Sequence, residues 1–221
     1  MARPRSDIRS RIVHAARARF LAEGVDGASL RTIAREAGTN VGMIVYYFPS
    51  KDDLFLEVVE EVYARLLGDL GEALGAEGPL RERLQCVFVR LGEASDDELD
   101  VVRLVAREVL LSSARFERVF ARMQRGHVKM LLEAFGEAVA GGEVDAEVPP
   151  PLLLLATVGL GAVPQLVRRA TGRRAPFQAL PPPPALAEAS AELLFRAVGP
   201  RRRAVSGSRS GARRTTRRAT R

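Results

Sequence analysis

Apolar residues recur at steps of three and four along nearly the whole chain, and no stretch alternates apolar and polar residues as a half-buried strand would. That periodicity restricts the polypeptide to packed helices, an all-α fold. Glycine and proline cut it into segments. A first helix is expected from a cap at Ser6 or Asp7 to about Ala22, with Ile12, Val13, Ala16 and Phe20 on its inner face and Gly24 and Gly27 closing it. Short helices follow over 29–37 and 40–47, separated by Gly38, because glycine tolerates the left-handed conformation that stops a helix tightly. Ser50 caps a fourth, 51–74, whose first turn carries Asp52 and Asp53. Further helices are expected over 79–94, 97–112, 114–140, 150–171 and 185–198, with Pro164 interrupting the penultimate one and 181–184 acting as a stiff polyproline spacer.

Two short helices joined through a glycine, just after a basic helix, form the layout of a helix-turn-helix. In that layout the first short helix crosses a nucleic-acid backbone, with its leading amides and the Ser29 hydroxyl offered to phosphate oxygens. The second presents Thr39, Asn40, Val41, Met43 and Tyr46 to the major groove, and Gly42 permits close approach. Tyr47 brings an aromatic ring with a hydroxyl, and Lys51 a compact cation at a helix start.

The run Ile12 to Phe20, then Gly24, Ser29-Leu30-Arg31-Thr32-Ile33-Ala34, Ala37-Gly38, Gly42 and Tyr47-Phe48-Pro49-Ser50-Lys51 resembles the DNA-binding domain of TetR-family transcriptional regulators. Val45 departs from the family, which usually has tyrosine there, and Arg19 stands where an aliphatic residue is usual. The resemblance implies a DNA-reading head over 6–67, with Arg31 among its contacts and phosphate roles for Tyr47 and Lys51. It further implies a ligand-binding and dimerisation domain over 68–198, and a dimeric repressor released from a palindromic DNA operator by a small-molecule effector. The bundle pairing two copies would use Leu153, Ala156, Leu160, Val163 and Val167 of one helix and Leu186, Leu193 and Leu194 of another; the same stripes also suit a core within one copy. Candidates for the ligand pocket are Phe88, Phe120, Met123, His127, Met130 and Gln165, each of which equally suits a helical core.

Net charge refines this picture. The formal +7 divides into +5 over residues 1–51, −7 over 52–199 and +9 over 200–221. The tail, 199–221, is expected to be disordered, and its arginines suit either non-specific attraction to phosphate or a merely solubilising appendage. A non-specific DNA-coating protein, or an all-α ligand-binding protein without operator binding, are the competing readings. The single cysteine, Cys86, excludes an intrachain disulfide and reads as a small buried residue. His14 reads as a surface residue. Six arginines break up the first 20 residues, unlike a signal peptide, and the longest apolar run, Leu152 to Val163, is 12 residues. No membrane partner is therefore expected, and a cytoplasmic location is. Only Lys51 and Lys129 of 34 basic residues are lysine, a skew typical of GC-rich bacterial genomes. No motif suggests an enzyme, a metal site or a cofactor.

Overall fold

The computed structural model describes residues 5–172 and 174–200, and every regular element among them is helical. In chain order these are α1 (Arg5–Gly27), α2 (Leu30–Glu36), α3 (Val41–Tyr47), α4 (Lys51–Gly75), α5 (Leu80–Gly92), α6 (Asp96–Leu111), α7 (Ser113–Arg125), α8 (His127–Ala140), α9 (Pro150–Thr157), α10 (Val163–Thr171) and α11 (Pro183–Val198). A π turn, Val158–Ala162, joins α9 to α10, and a short 3-10 turn, Phe177–Ala179, precedes α11. The expected tail from 201 onward lies outside the described residues.

Local chemistry explains most boundaries. The turn after α2 satisfies its last carbonyls twice over: Gly38 N–H reaches Arg35 O and Thr39 N–H reaches Ala34 O, with Gly38 at φ 62°. At the start of α4, Ser50 and Asp53 cap each other reciprocally, and Ser95 with Glu98 does the same for α6. Helix α1 already includes Ser6 and Asp7, so neither is its cap, and it resumes for a last turn after a break at Gly24 (φ 82°).

Two apolar clusters hold the helices. The first joins α1, α2, α3 and the first half of α4 to Val101 and Leu104 of α6 and Val119 of α7. The second joins Leu70 and Leu74 of α4 to α5, α8, α9 and α11. Helix α4 belongs to both, so it is the common rod of the molecule. Each fully buried Leu, Ile or Phe contributes about 1.5–3 kcal/mol, and Phe20, Phe55, Phe88, Leu54 and Leu84 are all in that class.

Several expectations are corrected. The helix expected over 114–140 breaks at Gly126, whose φ −104°, ψ −120° is not helical. A Cβ there would land on the Tyr63 hydroxyl, which accepts the His127 N–H at 3.2 Å and so caps α8. The proline spacer shrinks, because Pro183 and Pro184 open α11 itself, where their missing N–H groups would have no partner anyway. Cys86 is exposed rather than buried.

The outward stripe on α9 is also rotated from expectation. The π turn, with Val163 N–H bonded to Val158 O, inserts an extra residue ahead of Pro164 and resets the helical phase. Leu153 therefore faces inward, as do Leu186 and Leu194, all three buried in the subunit core. Leu152, Leu155, Val158, Leu160, Val163 and, from α11, Leu193 are the exposed apolar residues, while Ala156 and Val167 are half-buried. Together α9, the π turn and α10 make 22 residues long and apolar enough to cross a membrane by length and composition, more than the 12-residue run suggested. One side of this unit packs on protein through Leu153, Thr157, Gly161 and Gln165. Its end is tied down by Arg169, which bonds Ala94 O and Asp96.

Gly161 is pressed against the Phe88 ring, with no room for a Cβ. Gly161→Ala should cost about 1–3 kcal/mol of stability by overpacking. Gly68→Ala, in the exposed middle of α4 with nothing within 4 Å of its Cβ position, should instead raise stability by about 0.5–1 kcal/mol. Urea unfolding of both variants checks the opposite signs.

Candidate nucleic-acid interface and ligand cavity

Helices α2 and α3 meet through the tight Gly38 turn, which fixes the face of α3 that looks outward. Gly42, Val45 and Tyr46 occupy it, Tyr46 at 70% and Val45 at 50% exposure. Ile44 anchors the opposite face in the core. Thr39, Val41 and Met43 are half-buried on its flanks, so they are less available to a groove than their spacing suggested. Asn40 is exposed, but its Oδ1 is spent accepting the Met43 N–H at 3.0 Å as the α3 cap. Ser29 precedes α2 without a side-chain cap bond.

Charge surrounds this face unevenly. Most head arginines are paired: Arg9 with Glu57, Arg17 with Asp97, and Arg19 with Glu23 and Glu36. Arg31 and Arg35, one turn apart on α2, are exposed and make no ion pair among the described residues. The i,i+4 spacing of Arg35 from Arg31 was the signal by which it could have been found. The Lys51 ammonium lies on the Asp26 and Ala28 carbonyls at 2.8 and 3.1 Å, tying the start of α4 to the end of α1. Tyr47 is half-buried, its ring edge-on to Tyr46 at 5.1 Å.

Behind the head lies an ionic joint. The Arg115 guanidinium, 7% exposed, bonds Glu108 at 2.7 Å and Asp52 at 2.9 Å, and also bonds Asp26. Glu108, 2% exposed in its side chain, also accepts the Val25 N–H at 3.2 Å. Arg107 donates to Phe20 O at 2.6 Å, and Arg118 pairs with Asp53 at 3.1 Å. Helices α6 and α7 thus hold the end of α1 and the start of α4. The bond from Arg115 keeps the Asp26 carboxyl below its ordinary range, and the Ser50 cap does the same for Asp53.

A cavity of about 360 Å³ opens between α4, α5, α6, α8 and the π turn. Its walls are almost wholly aliphatic, with Val59, Val62, Leu66, Leu70 and Leu74 contributed by α4 alone. Polar chemistry is confined to few places. Tyr63 Oη lies 2.7 Å from His127 Nδ1. Glu98 is held by Arg90 and the Ser95 N–H; burial pushes its carboxyl up, but those donors more than offset it and leave it below its ordinary value. Burial, and then the nearby Arg122 cation, push the His127 imidazole down, which keeps it neutral.

Of the pocket candidates, Phe88, Met123 and His127 line this cavity. The other three do not. Phe120 is exposed and stacked on Phe116 at 5.5 Å. Met130 packs over Gly71, and Gln165 is fully buried with its Nε2 on Pro183 O at 2.9 Å. Sequence reading passed over the α4 wall and Tyr63, since a cavity-lining leucine carries no mark that separates it from a core leucine. Among the described residues no group of three or more His, Cys, Asp or Glu gathers as a metal site.

The described residues form an all-helical chain with a helix-turn-helix head and a cavity-bearing helical body. Residues 12–58 match the family model described as bacterial regulatory proteins, tetR family. The chain is 28% identical over 134 residues to the probable HTH-type transcriptional regulator YttP of Bacillus subtilis strain 168. That match covers 58% of this chain and 64% of YttP. The fold matches a TetR family transcription regulator from Marinobacter aquaeolei VT8 over 89% of this chain and 97% of that one, with TM-score 0.63 and 18% identity. It also matches the transcriptional regulator FadR from Bacillus subtilis, solved with stearoyl-CoA, over 86% and 98%, with TM-score 0.66 and 18% identity. The head thus resembles the tetR family over residues 12–58, and the whole chain shares the fold of solved TetR-family regulators.

Arg115→Met strands the buried Glu108 carboxylate and should cost about 3–5 kcal/mol, while Arg115→Met with Glu108→Leu should recover most of it. Equilibrium unfolding at neutral pH measures the difference. A pH series adds a second check. The depressed folded-state values of Asp26, Asp53 and Glu98 add stability that is present above about pH 4 and lost as pH falls through them. For His127 the same sign applies from about pH 6.5 downward, because the unfolded chain takes up the proton first. Stability should therefore step down twice on acidification, and His127→Phe should remove the upper step.

Proposed function

We propose that the chain is a dimeric repressor that reads a palindromic DNA operator through α3 and leaves it when a small molecule fills the cavity. The observation that carries this reading is the outward α3 face: Tyr46, Val45 and Gly42 are held proud by the Gly38 turn and flanked by the unpaired Arg31 and Arg35. Tyr46 is the base-reading side chain in this account, and Arg31, Arg35 and the Ser29 hydroxyl take phosphates. Lys51 shares its ammonium between the Asp26 and Ala28 carbonyls and a phosphate, its third donor remaining for DNA. Tyr47 supports the Tyr46 ring and offers its hydroxyl to the backbone.

Dimerisation uses the exposed apolar stripe of Leu152, Leu155, Leu160 and Val163 with Leu193 of α11. An apolar face of that extent needs a cover in water, and a two-fold pairing of helices supplies a self-complementary one. A second copy also explains a palindromic site, with one head per half-site about one helical turn apart or slightly wider. The cavity supports the effector role. FadR from Bacillus subtilis, of the same fold, was solved with stearoyl-CoA, and the cavity here is apolar. We place the protein in the cytoplasm with its DNA.

Selection from a random duplex library, followed by titration at two salt concentrations, tests the reading. Arg31→Ala or Arg35→Ala should weaken all duplexes about equally and reduce the salt slope by about one. Tyr46→Ala should instead narrow the gap between selected and scrambled duplexes. Equal competition by random and selected DNA would contradict operator reading. Leu155→Arg with Val163→Arg should give a monomer in sedimentation and lose the palindrome preference.

A further inference from the structure

The cavity's shape and the placement of its polar atoms narrow what it holds. Along α4 its lining runs from Val59 to Leu74, which at 1.5 Å per residue is about 22 Å. A slot that long and lined on every side by helices suits an extended chain rather than a compact ring system. Leu70, Leu74, Val87, Phe88 and Leu131 give apolar wall, and the Thr157 hydroxyl in the lining spends its proton on Leu153 O at 2.8 Å. The opposite stretch, toward Val59, holds the Tyr63–His127 pair.

Tyr63 Oη accepts the His127 backbone N–H and lies 2.7 Å from Nδ1, to which it gives its own proton in the tautomer that serves the ligand. With Nδ1 accepting, the neutral imidazole carries its proton on Nε2. Nε2–H bonds no protein group among the described residues, and His127 lines the cavity. The site therefore offers one donor to a ligand oxygen.

The lining holds no lysine or arginine, and its one carboxylate, Glu98, is already satisfied by Arg90 and the Ser95 N–H. In the neighbouring cleft between α4 and α7, Arg118 is engaged by Asp53 and Arg122 by Glu60, and Arg125, the third arginine there, is exposed to solvent outside the cavity lining. A buried anion would lose its hydration without gaining a free cation inside the cavity, and a buried ammonium would find no free acid.

We infer that the cavity takes an uncharged, elongated lipophile with one hydrogen-bond-accepting oxygen seated on His127: a long-chain alcohol, ketone or ester. This rests on the reading of the cavity as the effector site and names the effector's class. Phe88 and Leu131 enclose the hydrocarbon, Met123 and Val59 border the polar end, and the Tyr63 hydroxyl fixes the imidazole that meets the oxygen.

The test is displacement of the neutral fluorophore N-phenyl-1-naphthylamine from the full-length protein, without DNA, by matched 1-alkanols, alkanoates and alkyltrimethylammonium ions of eight to fourteen carbons. Alkanols should tighten about fourfold per methylene until the slot is full, and should displace the probe at concentrations at least tenfold below the matched alkanoate. His127→Phe and Tyr63→Phe should each weaken alkanols about two- to tenfold, with the fluorophore's affinity for each variant measured first so that displacement is corrected for it. Alkanoates binding as tightly as alkanols, or alkanol affinity unmoved in His127→Phe, would overturn the inference. Should that variant fail to fold by circular dichroism, the alkanol-to-alkanoate ratio of the wild type still decides. Operator binding is measured separately on the same samples. Loss of operator reading with alkanol selectivity intact counts against the proposed function alone; intact operator reading without that selectivity counts against this inference alone.

Discussion

The Arg115 guanidinium is the contact on which the arrangement of head and body depends. It gathers carboxylates from three other helices: Asp26 at the end of α1, Asp52 at the start of α4 and Glu108 near the end of α6. Taking Arg115 and Glu108 out of water is costly, and their mutual bonds repay that cost only while every partner is present. The result is a joint that resists partial loosening, because removing one member leaves a buried charge. Around it, Arg107 on Phe20 O and Glu108 on Val25 N–H fasten α6 directly to the α1 backbone.

The same helix forms a cavity wall. Val101, Val102, Val105 and Ala106 of α6 line the slot, and Arg107 and Glu108 follow immediately in the chain. Helix α4 repeats the pattern, with Asp52 and Asp53 in the joint and Val59 to Leu74 along the slot. In the account proposed here, filling the slot displaces α6 or α4, and the rigid joint passes that displacement to the end of α1. The Lys51 bonds to Asp26 and Ala28 carry it on to the start of α4 and to α2. In that account two heads on one palindrome tolerate little change in separation, and a small movement at the joint would release the proposed operator.

Much of this was legible in the sequence because the relevant signals are local. Gly38, Ser50 with Asp53, and Pro150 announce a turn, a cap and a helix start within a few residues, and each acts as its chemistry predicts. What escaped was set by distant partners or by geometry that spacing does not encode. The break at Gly126 depends on Tyr63, a residue 63 positions earlier, while local propensity reads straight through. The π turn changes helical phase, so extrapolating a three-four stripe across it turned Leu153 outward when it belongs to the core. Lys51 was assigned by resemblance to a phosphate, and its carbonyl contacts became visible only when the end of α1 folded beside it. The slot was invisible for another reason: whether an aliphatic side chain meets a neighbour or a void depends on how all the surrounding helices pack.

The central claim, that the slot and the heads move together, is tested most directly by the distance between heads. Ala18, exposed on α1, offers a spin-label site as Ala18→Cys in a Cys86→Ser background. Pulsed electron spin resonance on the dimer then reads the head-to-head distance with the slot empty and saturated with a long-chain alcohol. The account expects two distinct distance distributions, and expects the difference to shrink when Arg115→Met with Glu108→Leu dissolves the joint. One unchanged distribution, in a protein that binds both the alcohol and its operator, would contradict it.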